Sequence, residues 1–218
     1  MKKIVTILLF LSIQLSFAQK NIYESPKFDN LSQNHKELAI LPFLTHLDLT
    51  ETLSKAEKKA LEQKEGYAVQ DALEKYFSLP NKKKKKFTVD FQNTKNTNAI
   101  LAKNNITYEN IDIYSVKELC NVLGVDGVVS GTTDLNILLS DGIPTEFSFL
   151  DYITGDADYG RIAIKISDGN SGKLLWRYEK KITKKTGKNT QDLISRMMKL
   201  ATKKFPYDTE RIKNRKEN

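Results

Sequence analysis

The amino-acid sequence predicts an α/β fold, a single-domain sandwich in which a mixed β-sheet carries packed helices, and three observations predict it. Short apolar runs with strand character are interspersed with segments of helical spacing along most of the chain. Two of the strand-like runs are joined by Asp168-Gly-Asn-Ser-Gly172, which is turn chemistry and makes an antiparallel hairpin near the C-terminus. At 218 residues, 39% hydrophobic and 28% charged, the chain fits one ordinary core and shows no linker dividing two.

Met1 to Ala18 has the three parts of a signal peptide. Lys2 and Lys3 form a basic start, Ile4 to Leu15 an apolar run, and Ser16-Phe17-Ala18 the small residues of a cleavage site. Cleavage is expected between Ala18 and Gln19. The apolar run is shorter than the ~20 residues a bilayer span needs, so no transmembrane span is expected after processing. A bacterial lipoprotein would carry cysteine where Gln19 stands, so no lipid anchor is expected either.

Residues 19–36 mix Asn, Ser, Asp and Pro26 without a period and predict a flexible lead-in, placing the domain proper at 37–207. Glu37 to Leu44 is a short apolar run near a proline, a first buried strand. Ser54-x-x-Glu57 is a capping box. A helical spacing follows to Pro80, interrupted at Gly66, which allows one kinked helix or two. Phe87 to Phe91 alternates as a strand, Asn98 caps a short helix to Lys103, and a further helix runs from Ser115 to Leu123 with Gly124 as its stop. Val125 to Leu135 is β-branched and small, suiting a central strand, with Gly127 and Gly131 marking close approach by a neighbour. Tyr159 to Ser167 and Lys173 to Thr183 are the hairpin strands. Thr190 to Phe205 has one apolar stripe and closes the core, capped by Asn189 or Thr190. The charged tail, 208–218, is expected to fray.

The formal charge is +8, and loss of Lys2 and Lys3 leaves 8 − 2 = +6. Arginine occurs only at Arg161, Arg177, Arg196, Arg211 and Arg215, and no aromatic platform interleaves the run Lys82, Lys83, Lys84, Lys85, Lys86. Nucleic-acid readers use arginine forks and stacking aromatics, so no nucleic acid is expected. The lysine run is a solvated loop, with peripheral contact to anionic lipid or glycan as the alternative. The single cysteine, Cys120, lies on an apolar helical face and is expected to be buried packing, which leaves no internal disulfide.

Reactive constellations fail one by one. Around Gly172-Lys173, Ser167 and Leu174 stand where a phosphate-binding loop needs glycine and a hydroxyl. Ser130 and Ser171 lack the flanking glycines of a nucleophile elbow. Asp156-x-Asp158-x-Gly160 has Arg161 and Ser167 where a calcium loop needs glycine and glutamate. His35 and His46 lie at no metal-ligand spacing. No cofactor or metal is expected, and catalytic residues are none. Asp126, Asp134 and Asp168 sit near strand ends, where turn-forming and solvated roles outnumber acid catalysis. Ile137 to Thr154 is apolar and aromatic without a clean period. It is either a helical lid on the core or an exposed surface of Phe147, Phe149, Leu150 and Tyr152 that mates with a partner.

The strand LAILPF, the run LGVDGVVSGTT and the hairpin IKISDGNSGKLLWRYEKK together resemble the domain shared by CsgG, LpoB and the amino-terminal domain of TolB. EGYAVQDAL, TNAIL, GKLLW and KKFPY extend the resemblance across Leu38 to Tyr207, to secreted proteins of Bacteroidota. The resemblance implies an anticodon-binding-domain-like α/β sandwich and a role in the cell envelope, with no catalytic residues to transfer. Trp176 matches the group's tryptophan and is expected to be a core or rim aromatic. The lipid-bearing cysteine of CsgG and LpoB is missing. The expected function is an exported, periplasmic or secreted, non-catalytic binding or adaptor protein whose partner is an envelope protein. Its candidate surface is Phe147, Phe149, Leu150, Tyr152 and the Lys82 to Lys86 loop. Self-association into a ring is the alternative, and an enzyme acting on glycan or peptidoglycan through paired acids is a third class.

Overall fold

The computed structural model describes residues 21–49, 53–78, 87–142, 159–183, 186–201 and 204–216. Seven strands form one mixed sheet: β1 (Ile22–Glu24), β2 (Glu37–Ile40), β3 (Leu44–Leu47), β4 (Asp90–Phe91), β5 (Gly127–Leu135), β6 (Gly160–Asp168) and β7 (Leu174–Ile182). Their order is β1-β7-β6-β5-β2-β4, with β3 also beside β5. Parallel pairs join β2 and β3 to β5 and β4 to β2, and the remaining pairs are antiparallel. Among the described residues the α-helices are α1 (Phe28–Ser32), α2 (Lys55–Phe77), α3 (Thr94–Lys103), α4 (Val116–Leu123), α5 (Thr190–Ala201) and α6 (Thr209–Lys216).

The expected first strand is two strands. Leu38 to Ile40 pairs with Gly127 to Val129, and Leu44 to Leu47 pairs further along the same strand with Thr132 to Leu135. Pro42 has no amide to give the ladder, and the Phe43 amide turns away to donate to Gly66 O at 3.2 Å. That contact also explains Gly66. α2 runs unbroken through it, and a Cβ at this position would overlap the Phe43 carbonyl oxygen. The glycine is there for close approach of a strand to a helix, and it marks neither a kink nor a boundary.

The expected capping box is formed, Ser54 with Glu57 on α2, and a second one that the sequence reading did not single out joins Ser115 and Glu118 on α4. Gly124 ends α4 in the left-handed region at φ 68°. The cap of α3 is corrected to Asn93, whose side chain accepts from the Lys95 and Asn96 amides. Asn98 lies inside the helix and exchanges amide hydrogen bonds with Gln70 of α2. Phe87 to Phe91 supplies only the two residues of β4 and one isolated bridge from Phe87 to Asp208. The phenyl rings there serve the core instead, Phe91 stacking on Phe77 at 3.9 Å between centroids.

The two ends of the domain also differ from expectation. The lead-in contains β1, paired antiparallel with β7 from Ile22 opposite Tyr178 to Glu24 opposite Trp176, and α1, whose Phe28 is buried against Tyr207. The tail contains α6, with the Asp208 carboxylate accepting from the Glu210 and Arg211 amides as a helix cap. Charged helices without an apolar stripe escape a periodicity reading, and here capping and docking supply the order.

Two cores flank the sheet. Alternate residues of β2 and β5 feed both: Leu38, Ile40 and Val129 enter the larger core with residues of α2 and α5, while Ala39, Leu41 and Val128 enter the smaller one with residues of α3 and α4. Trp176 is fully buried in the larger core, its indole N–H donating to Lys204 O at 3.1 Å.

Candidate functional site

The smaller core covers only part of its side of the sheet. On β6, Ile162, Ile164 and Ile166 point into the larger core, so Arg161, Ala163 and Lys165 point the other way. Arg161 is exposed, Ala163 is buried between its neighbours, and Lys165 shares a cleft with Val116 and Leu119 of α4. Strand register assembles three cross-strand rows on this open face. His46, Asp134, Arg161 and Lys181 form one. Leu44, Thr132, Ala163 and Glu179 form the second. Ser130, Lys165, Arg177 and Tyr23 form the third. Four cations thus stand among two acids, with Arg177 Nε 3.3 Å from Glu179 Oε1 and Tyr23 43% exposed at the edge. Where the face meets the α3–α4 connection there is a cleft of about 180 Å³, walled by Leu41, Leu44, Ile111 and Tyr114 and edged by Ser130, Thr132, Lys165 and Asp112.

A second constellation lies at the end of the sheet where β2 and β5 begin. Tyr207 Oη is 2.6 Å from His35 Nδ1, and His35 Nε2 is 2.9 Å from Asp168 Oδ1. Asp168 Oδ2 accepts from the Ser171 amide at 2.7 Å and from the Ser171 hydroxyl. Next to it, Asp126 Oδ2 accepts from the Lys36 and Glu37 amides at 2.7 and 3.0 Å. Burial pushes the Asp168 carboxyl up, but the Ser171 hydroxyl, His35 and the Ser171 amide outweigh it, and the net is below the usual range. Asp126 behaves the same way: burial raises it, and the Glu37 and Lys36 amides bring it lower overall. An ionised Asp168 makes Nε2 a donor, and in the neutral ring Nδ1 then accepts from the Tyr207 hydroxyl.

The linear chain of hydroxyl, imidazole and carboxylate has the outline of a nucleophilic relay, yet its chemistry runs the other way. Burial, then the Asp168 and Asp126 charges, push the Tyr207 phenol upward, so it stays protonated and donates. Neither carboxylate is a general acid at neutral pH when both are held ionised. The network joins α1, β2, the hairpin turn and the C-terminal segment. A cavity of about 430 Å³ beside it is lined by Phe28, Ser32, His35, Thr88 and Tyr207.

Of the residues singled out from sequence, Asp134 stands exposed, Asp168 has the turn-forming role, holding the hairpin turn at Ser171, but is buried against His35 rather than solvated, and Asp126 holds the Lys36 and Glu37 amides beside it. Cys120 is buried in the smaller core with its thiol pushed up to about 12 by burial and the nearby Asp168 and Asp126 charges. The cleavage pair Ala18 and Gln19, the run Lys82 to Lys86, and Phe147, Phe149, Leu150 and Tyr152 lie outside the described residues. The beginning of the apolar segment is described: Leu139 is fully buried in a 3₁₀ turn, Leu139–Asp141, held by Glu65, which accepts from the Ser140 amide and hydroxyl. Sequence spacing missed His35 and Tyr207 because the two are 172 positions apart. The slight signal that was available is a histidine shortly before the apolar run from Leu38 and a tyrosine after Phe205-Pro206.

Together the described residues define an α/β protein with a seven-stranded mixed sheet, helices packed on both of its faces and a charged stretch of sheet face beyond the edge of the smaller core. No family model and no curated protein sequence matches the chain. Among solved structures it is similar to a lipoprotein from Neisseria meningitidis, at 12% identity over 68% of this chain and 80% of that one, TM-score 0.35. It is similar to the LpoB C-terminal domain from Salmonella enterica, at 6% identity over 72% of this chain and 93% of that one, TM-score 0.32. The PelC dodecamer from Paraburkholderia phytofirmans aligns at 9% identity over 75% of this chain and 86% of that one, TM-score 0.32. At these scores the alignments assign nothing to the chain. Among the described residues no helix is long and apolar enough to cross a membrane, and no three metal-ligating side chains converge.

Proposed function

We propose that the chain is exported and works in the bacterial cell envelope as a non-catalytic binding or adaptor protein, with the open sheet face as its recognition surface. The observation that carries this reading is the three-row face of β5, β6 and β7, where Arg161, Arg177 and Lys181 are exposed and Lys165 stands at the edge of α4, over a well-packed core. A rigid, charged sheet surface suits recognition of a second macromolecule: electrostatic complementarity sets encounter rate and register. The leader at Met1 to Ala18 and the resemblance to the CsgG, LpoB and TolB group support export and an envelope setting. The segment with Phe147, Phe149, Leu150 and Tyr152 connects β5 to β6, two strands of this face, and supplies its apolar part in this reading. The Lys82 to Lys86 run is a second, basic contact.

Photo-crosslinking tests the proposal. A photoreactive residue at Arg161 or Lys181 is expected to give one discrete adduct in intact cells, and the same residue at Lys59, exposed on α2, is expected to give none. Amino-terminal sequencing of the recovered chain is expected to begin at Gln19. A cytosolic chain that keeps Met1, or equal labelling from all three positions, would refute the reading. An adduct of twice the chain's own mass would identify the partner as a second copy.

A further inference from the structure

We infer that the cleft at the edge of the open face receives the C-terminal residue of a partner polypeptide, an apolar side chain bearing a free carboxylate. The inference rests on the binding role proposed above and names what the face holds. At about 180 Å³ the cleft is well below the ~300–1,000 Å³ of a small-molecule site, and suits one residue. Its walls are apolar, from Leu41, Leu44, Ile111 and Tyr114.

Its polar edge asks for an anion. Arg177 has Glu179 for company and Arg161 stands opposite Asp134. The side chain of half-buried Lys165 makes no ion pair or hydrogen bond among the described residues, and neither do the Ser130 and Thr132 hydroxyls beside it. A lysine without a counter-charge, beside two unpartnered hydroxyls, gains most from a carboxylate that takes all three donors.

Geometry then selects a chain end over an internal acidic residue. Adjacent side chains of an extended peptide point to opposite faces, so an apolar residue and a neighbouring Asp or Glu do not enter one residue-sized cleft together. A C-terminal residue carries both groups on the same Cα. Asp112, on the same rim, opposes a second carboxylate and accepts an N–H from the ligand's own backbone. That requirement sets a polypeptide end apart from a simple fatty acid.

The experiment titrates the full chain with three acetylated peptides and follows the backbone amide signals of Ser130, Thr132 and Lys165 by NMR. The peptides are Ala-Ala-Leu with a free carboxylate, the same peptide as its C-terminal amide, and Ala-Leu-Glu amide, whose acid is internal. The free acid is expected to saturate these signals and to bind roughly tenfold more tightly than the other two. Lys165→Met is expected to erase that difference and Lys165→Arg to keep it. Equal binding of all three peptides, the absence of saturable shifts at these amides, or a preference that survives Lys165→Met would overturn the inference. Such a result alongside a discrete crosslink from Arg161 and Lys181 would remove the cleft ligand and leave the binding face standing.

Discussion

His35 Nε2 lies 2.9 Å from Asp168 Oδ1, joining residues 133 positions apart and tying the segment before β2 to the end of β6. Because Asp168 is held below its ordinary 3.8 in the folded state, its contribution is complete above the unfolded value and is lost as pH falls through the folded one. Asp168→Asn is therefore expected to cost about 1–3 kcal/mol at neutral pH. The gap between parent and variant should close below about pH 4. Urea unfolding at neutral and acidic pH measures it, and a gap independent of pH would contradict the assignment.

Gly66 gives a sharper case, because local and tertiary preferences oppose each other there. Alanine is better than glycine in a helix interior by up to ~1 kcal/mol, and a helix-only view expects Gly66→Ala to stabilise. The Phe43 carbonyl oxygen occupies the place of the new Cβ, with the Tyr108 ring also in contact, so the net effect is expected to be destabilising by roughly 1–3 kcal/mol. Thermal melts decide the sign, and a raised midpoint would show that the strand break at Pro42 yields freely.

These two positions show what was legible in advance. The strands β5, β6 and β7, their hairpin, the capping box at Ser54 and the last long helix all carry local signals, and local signals are enough where alternation or turn chemistry acts on neighbours. The role of Gly66, the cap at Asn93, and the order at both ends of the domain depend on residues brought from elsewhere in the chain. His35 and Tyr207 look unremarkable in sequence because each is a lone polar residue until the other arrives. The open face was hidden for a related reason: Arg161, Lys165, Arg177 and Lys181 are ordinary surface positions of alternating strands, and only the register between β6 and β7 makes them one surface.

Glu65 is fully buried and accepts from the Ser140 amide and hydroxyl. Burial raises its pKa, with the Ser140 hydrogen bonds offsetting part of the rise. A carboxyl raised on folding opposes folding as pH climbs from its unfolded value, 4.5, through the folded one. Glu65→Gln is expected to flatten the stability profile across that window, and also to set an amide N–H against the Ser140 N–H. Comparing unfolding free energy at pH steps upward from about 4.5 checks this. A variant whose profile keeps the parent's slope would assign that slope to other groups.

Cys120 sits in the smaller core at 3% exposure with its thiol pushed up to about 12. Thiolate is the reactive form, so reaction with a disulfide reagent is expected to be slow in the folded chain and complete in urea. Rapid stoichiometric labelling under native conditions would show that α4 opens readily.

The two sides of β6 give a direct test of the open face. Lys165 and Ile164 are neighbours in sequence, and strand alternation sends one to the open face and the other into the core beneath α2 and α5. Lys165→Gln is expected to leave stability within about 0.5 kcal/mol, as surface substitutions do. Ile164→Asn is expected to cost several kcal/mol, on the order of 3 or more, because it loses apolar burial and leaves an amide unsatisfied in the core. The same contrast should hold for Arg177→Gln against Tyr178→Asn on β7, where Tyr178 is buried and Arg177 stands in the row with Lys165. Denaturant unfolding of the four variants measures all of it. A large loss on changing Lys165 or Arg177 would mean that the face is held down by part of the chain and is closed to a partner.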